Sequence, residues 1–137
     1  GEQAAAEAGV IEAVVEAMQA HPQVVGVQMW GCRALANVGS GTDAAGSARK
    51  QRAAGVGAIE AVVEAMRAHP QVSFVQTLGC MALSTVCEGD DAAAPTRQQR
   101  VARAGGRTVV VAAMQAHPGH PDVQDYGPRV LDALREE

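Results

Sequence analysis

The chain has 137 residues, 47% of them apolar and 2% aromatic, three cysteines and a formal charge of −4. That length suits one domain with one core, and an acidic chain has no bulk electrostatic reason to gather on phosphate backbones or anionic lipid, so neither nucleic acid nor membrane is expected as a partner. An odd, sparse set of cysteines argues against a secreted disulfide framework, which leaves a reducing cytoplasmic or nuclear setting as the expected location.

In chain order, Gly1-Glu2-Gln3 shows no basic region ahead of an apolar one and no initiator Met, and is expected to be the edge of a piece of a longer chain. No stretch reaches the roughly 20 apolar residues of a membrane-spanning helix. The first strong pattern is Ile11-Glu12-Ala13-Val14-Val15-Glu16-Ala17-Met18, which returns intact as Ile59–Met66 and loosely as Val109–Met114. Gly9, Gly57 and Gly105, the His-Pro pairs at 21, 69 and 117, and Gln28, Gln76 and Gln124 keep the same spacing of 48. Residues 5–52 and 53–100 share 30 identities in 48 without a gap, the mark of a tandem repeat. The units span 1–46, 47–94 and a shorter, divergent 95–137.

Each unit predicts three helices. A first runs from the caps at Asp43 and Asp91 through the basic stretches 49–52 and 97–103 to Gly55–Gly57 and Gly105-Gly106. A second carries apolar residues every three to four positions, from Val10 and Ile11 to Met18, and stops at His21-Pro22. A third, over 23–39, places Val24, Val27, Gly31, Ala34, Leu35 and Val38 on one buried stripe, repeated by Val72, Val75, Gly79, Ala82, Leu83 and Val86. One unit alone cannot cover these stripes; stacking its neighbours does.

Ala8-Gly9-Val10-Ile11-Glu12-Ala13-Val14-Val15, the Pro-marked turn and Val27-Gln28-Met29-Trp30-Gly31-Cys32-Arg33-Ala34-Leu35-Ala36-Asn37-Val38 together resemble the armadillo repeat over nearly the whole chain, with HEAT repeats the nearest alternative. The resemblance implies an all-α fold, a right-handed α-solenoid of about three armadillo-like three-helix repeats, whose third helices line a groove for a peptide or partner domain. In the importin-type groove of that family a Trp and Asn array fixes the peptide. Here the Trp positions hold Arg33, Met81 and Arg129 and the Asn positions hold Asn37, Thr85 and Ala133, so a receptor for nuclear-localisation signals is not expected. The unit is longer than the usual repeat of about 42 residues, the excess lying in the loops 40–48 and 88–96. In the third unit Arg107 replaces the leading Ile, and Pro128 predicts a kink or a restart in the last helix.

The positions that the buried stripe leaves for the groove are Gly26, Trp30, Arg33 and Asn37 in the first unit, Phe74, Leu78, Met81 and Thr85 in the second, and Asp122, Tyr126, Arg129 and Ala133 in the third. They hold all three aromatic residues, and rings beside Arg dominate binding hot spots. The plainer reading is that the rings pad contacts between adjacent third helices. The His-Pro row sits about 10 Å apart from unit to unit, too far for a shared metal ion, and is expected to place imidazoles near helix-end carbonyls. Cys32 and Cys80 read as small core residues, Cys87 as an exposed thiol. The basic stretches read as solvated helix edges, the Glu12/Glu16 and Glu60/Glu64 pairs as a solvated face. No nucleophile with a base, phosphate-cradling loop, metal site or cofactor site is predicted, so no enzyme is expected. The expected function is a protein-interaction scaffold binding a peptide or partner domain at Trp30, Arg33, Asn37, Phe74, Leu78, Met81, Thr85, Tyr126 and Arg129. The alternative is a structural or self-association segment, forming a homo-oligomer or part of a longer solenoid through uncapped ends.

Overall fold

The computed structural model describes residues 2–39, 41 and 43–135, with side chains from residue 9 onward. Gly1 of the sequence start, and Ser40 and Thr42 of the predicted 40–48 loop, lie outside the described residues. Those residues form an all-helical chain, α1 (Glu2–Ala20), α2 (Val25–Val38), α3 (Ala44–Gly55), α4 (Ala58–Ala68), α5 (Ser73–Cys87), α6 (Ala94–Ala104), α7 (Gly106–Ala116) and α8 (Pro121–Ala133), with no strand among them.

Local chemistry sets the boundaries. Asp43 caps α3 by accepting from the Gly46 N–H at 2.8 Å. Gly57 and Gly105 turn the chain with φ of 92° and 96°, a left-handed conformation that favours glycine. The matching Gly9 makes no such turn: α1 passes straight through it, because Ala4-Ala5-Ala6 and Ala8 are strong helix formers. Asp91 is not the cap of α6, which starts later, at Ala94, with Pro95 in its first turn. Nor does α8 restart at Pro128. Proline removes the bond to the Gln124 carbonyl, but buried Val123, Gly127 and Val130 hold both halves of α8 against the core.

The core is made of small and branched aliphatic residues, with Ile11, Val14, Val15, Met18, Ile59, Val62, Val63, Met66, Leu83 and Val110 all nearly inaccessible. Helices approach closely where glycine meets methionine. A Cβ on Gly79 would lie 2.6 Å from both Cγ and Sδ of Met66, and one on Gly127 2.8 Å from Met114 Sδ; Gly31 meets Met18 in the same way. Three buried or half-buried glutamines then bind the end of the preceding helix. Gln28 donates to the carbonyls of Met18 and His21 at 3.1 and 2.9 Å, Gln76 to those of Met66 and His69 at 3.0 and 2.9 Å, and Gln124 to those of Met114 and His117 at 3.0 and 3.2 Å. Carbonyls left without a partner at a helix C-terminus are satisfied there by a side-chain amide.

All three cysteines are buried, Cys87 included, at 3% exposure, so the expectation of an exposed Cys87 fails. Cys87 ends α5 beneath α6, whose Gln98 donates to its carbonyl at 2.9 Å. Burial pushes the Cys32 and Cys80 thiols up to about 12, with the neighbouring Cys80 adding to the effect on Cys32. A pKa raised in the folded state gives stability that is full below the ordinary value of 9.0 and is lost as pH climbs through about 12. A thiol reagent at mildly alkaline pH is therefore expected to label none of the three quickly in the native protein, and all three once denaturant is added. One rapidly labelled native thiol would contradict this packing.

Candidate partner-binding face

The third helix of each predicted unit, α2, α5 and α8, packs in a row with α5 in the middle. Gly26, Trp30, Arg33 and Asn37 are exposed on α2, Phe74 on α5, and Asp122 and Arg129 on α8. Met81, Thr85, Tyr126 and Ala133 are half-buried. Trp30 and Phe74 are 53% and 57% exposed, rare values for rings this large. Leu78 departs from the row: at 7% exposure it is interior, on a helix flanked by both α2 and α8. Where the middle helix has neighbours on both sides, this position is interior.

Charges on the face differ in how far they are engaged. Arg129 lies 5.0 Å above the Tyr126 ring and 3.3 Å from Asp125 Oδ2, a cation–π and ion-pair cluster at the surface. Arg33 forms no ion pair among the described residues. The Thr85 hydroxyl is already used, donating to the carbonyls of Met81 at 3.0 Å and Ala36 at 3.3 Å, and the second of these bonds ties α5 to α2.

The basic stretches are not simply solvated edges. Arg97 is 1% exposed and donates to the carbonyls of Val86 and Glu88, to Gln51, and in bidentate fashion to Asp91 at 2.8 and 2.9 Å. Lys50, also 1% exposed, reaches the Gly41 carbonyl at 2.6 Å, and Arg49 the Val38 carbonyl at 2.5 Å. These cations close the C-terminal ends of α2 and α5. Only Arg52, Arg100 and Arg103 stay exposed, the first two paired with Glu12 and Glu60 of the second helices. Arg107 donates to the Leu134 carbonyl at 2.6 Å and closes α8.

The His-Pro turns do something that spacing alone did not reveal. His69 Nε2 meets the Pro22 carbonyl at 2.8 Å and His117 Nε2 the Pro70 carbonyl at 2.9 Å. Each imidazole thus binds the previous turn rather than its own helix end. Beside these turns lie crevices between successive second helices, one of about 340 Å³ lined by Met18, Pro22, Gln28 and Ala65, the other of about 170 Å³ lined by Met66, Pro70, Gln76 and Ala112. Among the described residues no three His, Cys, Asp or Glu side chains gather as metal ligands, and no helix is long and apolar enough to cross a membrane. Compared with protein-family models, with curated proteins and with solved structures, the chain matches none.

Proposed function

We propose that the chain is a short armadillo-like α-solenoid of 48-residue units that binds an extended peptide or partner segment across its third helices. The observation that carries this reading is the exposed run of Phe74, Arg33, Asn37 and Arg129, with Met81 and Tyr126 half-open beside it, on three helices packed in a row. An exposed apolar strip rimmed by polar groups marks an interaction surface. Adjacent helices lie about 10 Å apart, close to the reach of three extended residues, so a peptide crossing the row meets each helix in turn. Trp30 stands at the N-terminal rim of this strip and Leu78 beneath it.

The test uses peptides selected on the purified protein from a random display library. Phe74→Ala and Met81→Ala together should weaken the selected peptides at least tenfold, the loss of a hot-spot pair, while circular dichroism and the melting temperature hold. Unchanged affinity in the double variant would remove the third-helix face from consideration.

A further inference from the structure

The two internal boundaries of the stack are joined by the same contacts, and each end of the chain displays one half of them. His69 and His117 bond to the Pro carbonyl of the preceding turn, whereas His21 is exposed and has no side-chain partner among the described residues. In the last unit Pro118 is exposed, and among the described residues no imidazole bonds to its carbonyl. Apolar positions tell the same story. Trp30 is 53% exposed where its counterpart Leu78 is 7%, and Ala13 is exposed where Ala61 is 6%. On the far face Val111 is 37% exposed where Val63 is 1%.

We propose that these two faces are halves of one interface, on which a second copy of this chain stacks head to tail, its Pro118 turn seated on His21. The contact continues a register already present inside the molecule. Thr85 Oγ1 bonds to the Ala36 carbonyl at 3.3 Å across the boundary between the first two units; repeating that step sets Asn37 against Asp132 of the second copy. Arg33 lies one helical turn from Asn37 and has no carboxylate partner among the described residues, while the opposing edge carries Asp125 and Asp132, paired among the described residues with exposed Arg129 and Arg135. The charges are complementary, and the apolar surfaces of Trp30 and Val111 leave water together. Because the two faces differ, the contact is heterologous and cannot form a symmetric pair of one face with itself; continuing the internal register of the stack, it builds short linear assemblies.

Sedimentation velocity and light scattering across the micromolar to millimolar range test this. The average mass should rise with concentration past that of a dimer. Trp30→Glu blocks one face and Val111→Glu the other, both at exposed positions, so each variant should keep its helix content and melting temperature and stay monomeric. Their equimolar mixture still joins one intact face of each and should form a one-to-one dimer and nothing larger. His21→Ala, the mildest change, should weaken association about tenfold. A wild-type chain that stays monomeric throughout overturns the proposal, and so does a dimer that survives in either single variant, which would be a closed contact of one face with itself.

Discussion

Replacing Arg97 by Leu is expected to lower the stability of the fold by about 3 kcal/mol, whereas Arg49→Leu at the corresponding position should cost about 1 kcal/mol. The contrast comes from what each guanidinium satisfies. Arg97 is fully buried and serves two backbone carbonyls, Gln51 and Asp91, and leucine would leave the buried Val86 carbonyl and the part-buried Glu88 carbonyl without that donor. Among the described residues the half-buried Arg49 serves only the Val38 carbonyl. Urea unfolding of the two variants against wild type measures both values. Equal losses would mean that burial of the Arg97 cluster is not what stabilises it.

The same cluster gives the acid response. Hydrogen bonds from Arg97, helped by its charge, hold Asp91 down at about 2 against an ordinary 3.8. A carboxylate depressed in the folded state gives stability that is present above 3.8 and lost as pH falls through about 2. Melting temperature should therefore drop over that window, and Asp91→Asn should flatten the drop while lowering stability at neutral pH.

Gly79→Val is the second large effect, expected to cost about 3 kcal/mol by overpacking. The Cβ alone would sit 2.6 Å from the Met66 side chain, and a branched residue adds two more carbons at this contact of α4 and α5. Gly79→Ala should cost less, since a flexible methionine can turn aside and alanine gains helix propensity of about 1 kcal/mol. Met66→Ala combined with Gly79→Ala should then be less damaging than the sum of the two, a coupling of contacting residues. Gly9→Ala is the control: it has open space around its Cβ position inside α1, and should stabilise by about 0.5–1 kcal/mol. Thermal melts of the five variants, Met66→Ala alone included, decide the matter, and a neutral Gly79→Val would show that the close approach is not required.

Much of this architecture was legible in the residues. The apolar period placed α2, α4, α5 and α7, and glycines and His-Pro pairs marked their ends, because these signals are local: backbone freedom at Gly57 and Gly105, a missing N–H at proline. What escaped was set by neighbours. Gln28, Gln76 and Gln124 were visible as a repeat, but a polar residue on an apolar helix does not announce which carbonyl it will reach. Arg97 and Lys50 resembled a solvated charged edge, since burial of a cation depends on carbonyls brought up from another helix. Cys87 lay near a helix end, normally exposed, and was covered by α6. Position 30 shows the limit most clearly: Trp30 and Leu78 are equivalent in sequence, yet one is open and the other interior, because only the second has a helix on each side. The restart expected at Pro128 did not occur for the same reason, packing from Val123 to Val130 outweighing one lost hydrogen bond.

The claim that the third helices are the binding face is tested most directly by hydrogen exchange on the protein with and without a display-selected peptide. Added protection is expected in α2, α5 and α8, centred on the segments carrying Arg33, Phe74 and Met81, with α1, α4 and α7 unchanged. Protection confined to α1, α4 and α7, beside the crevices at Pro22 and Pro70, would contradict it.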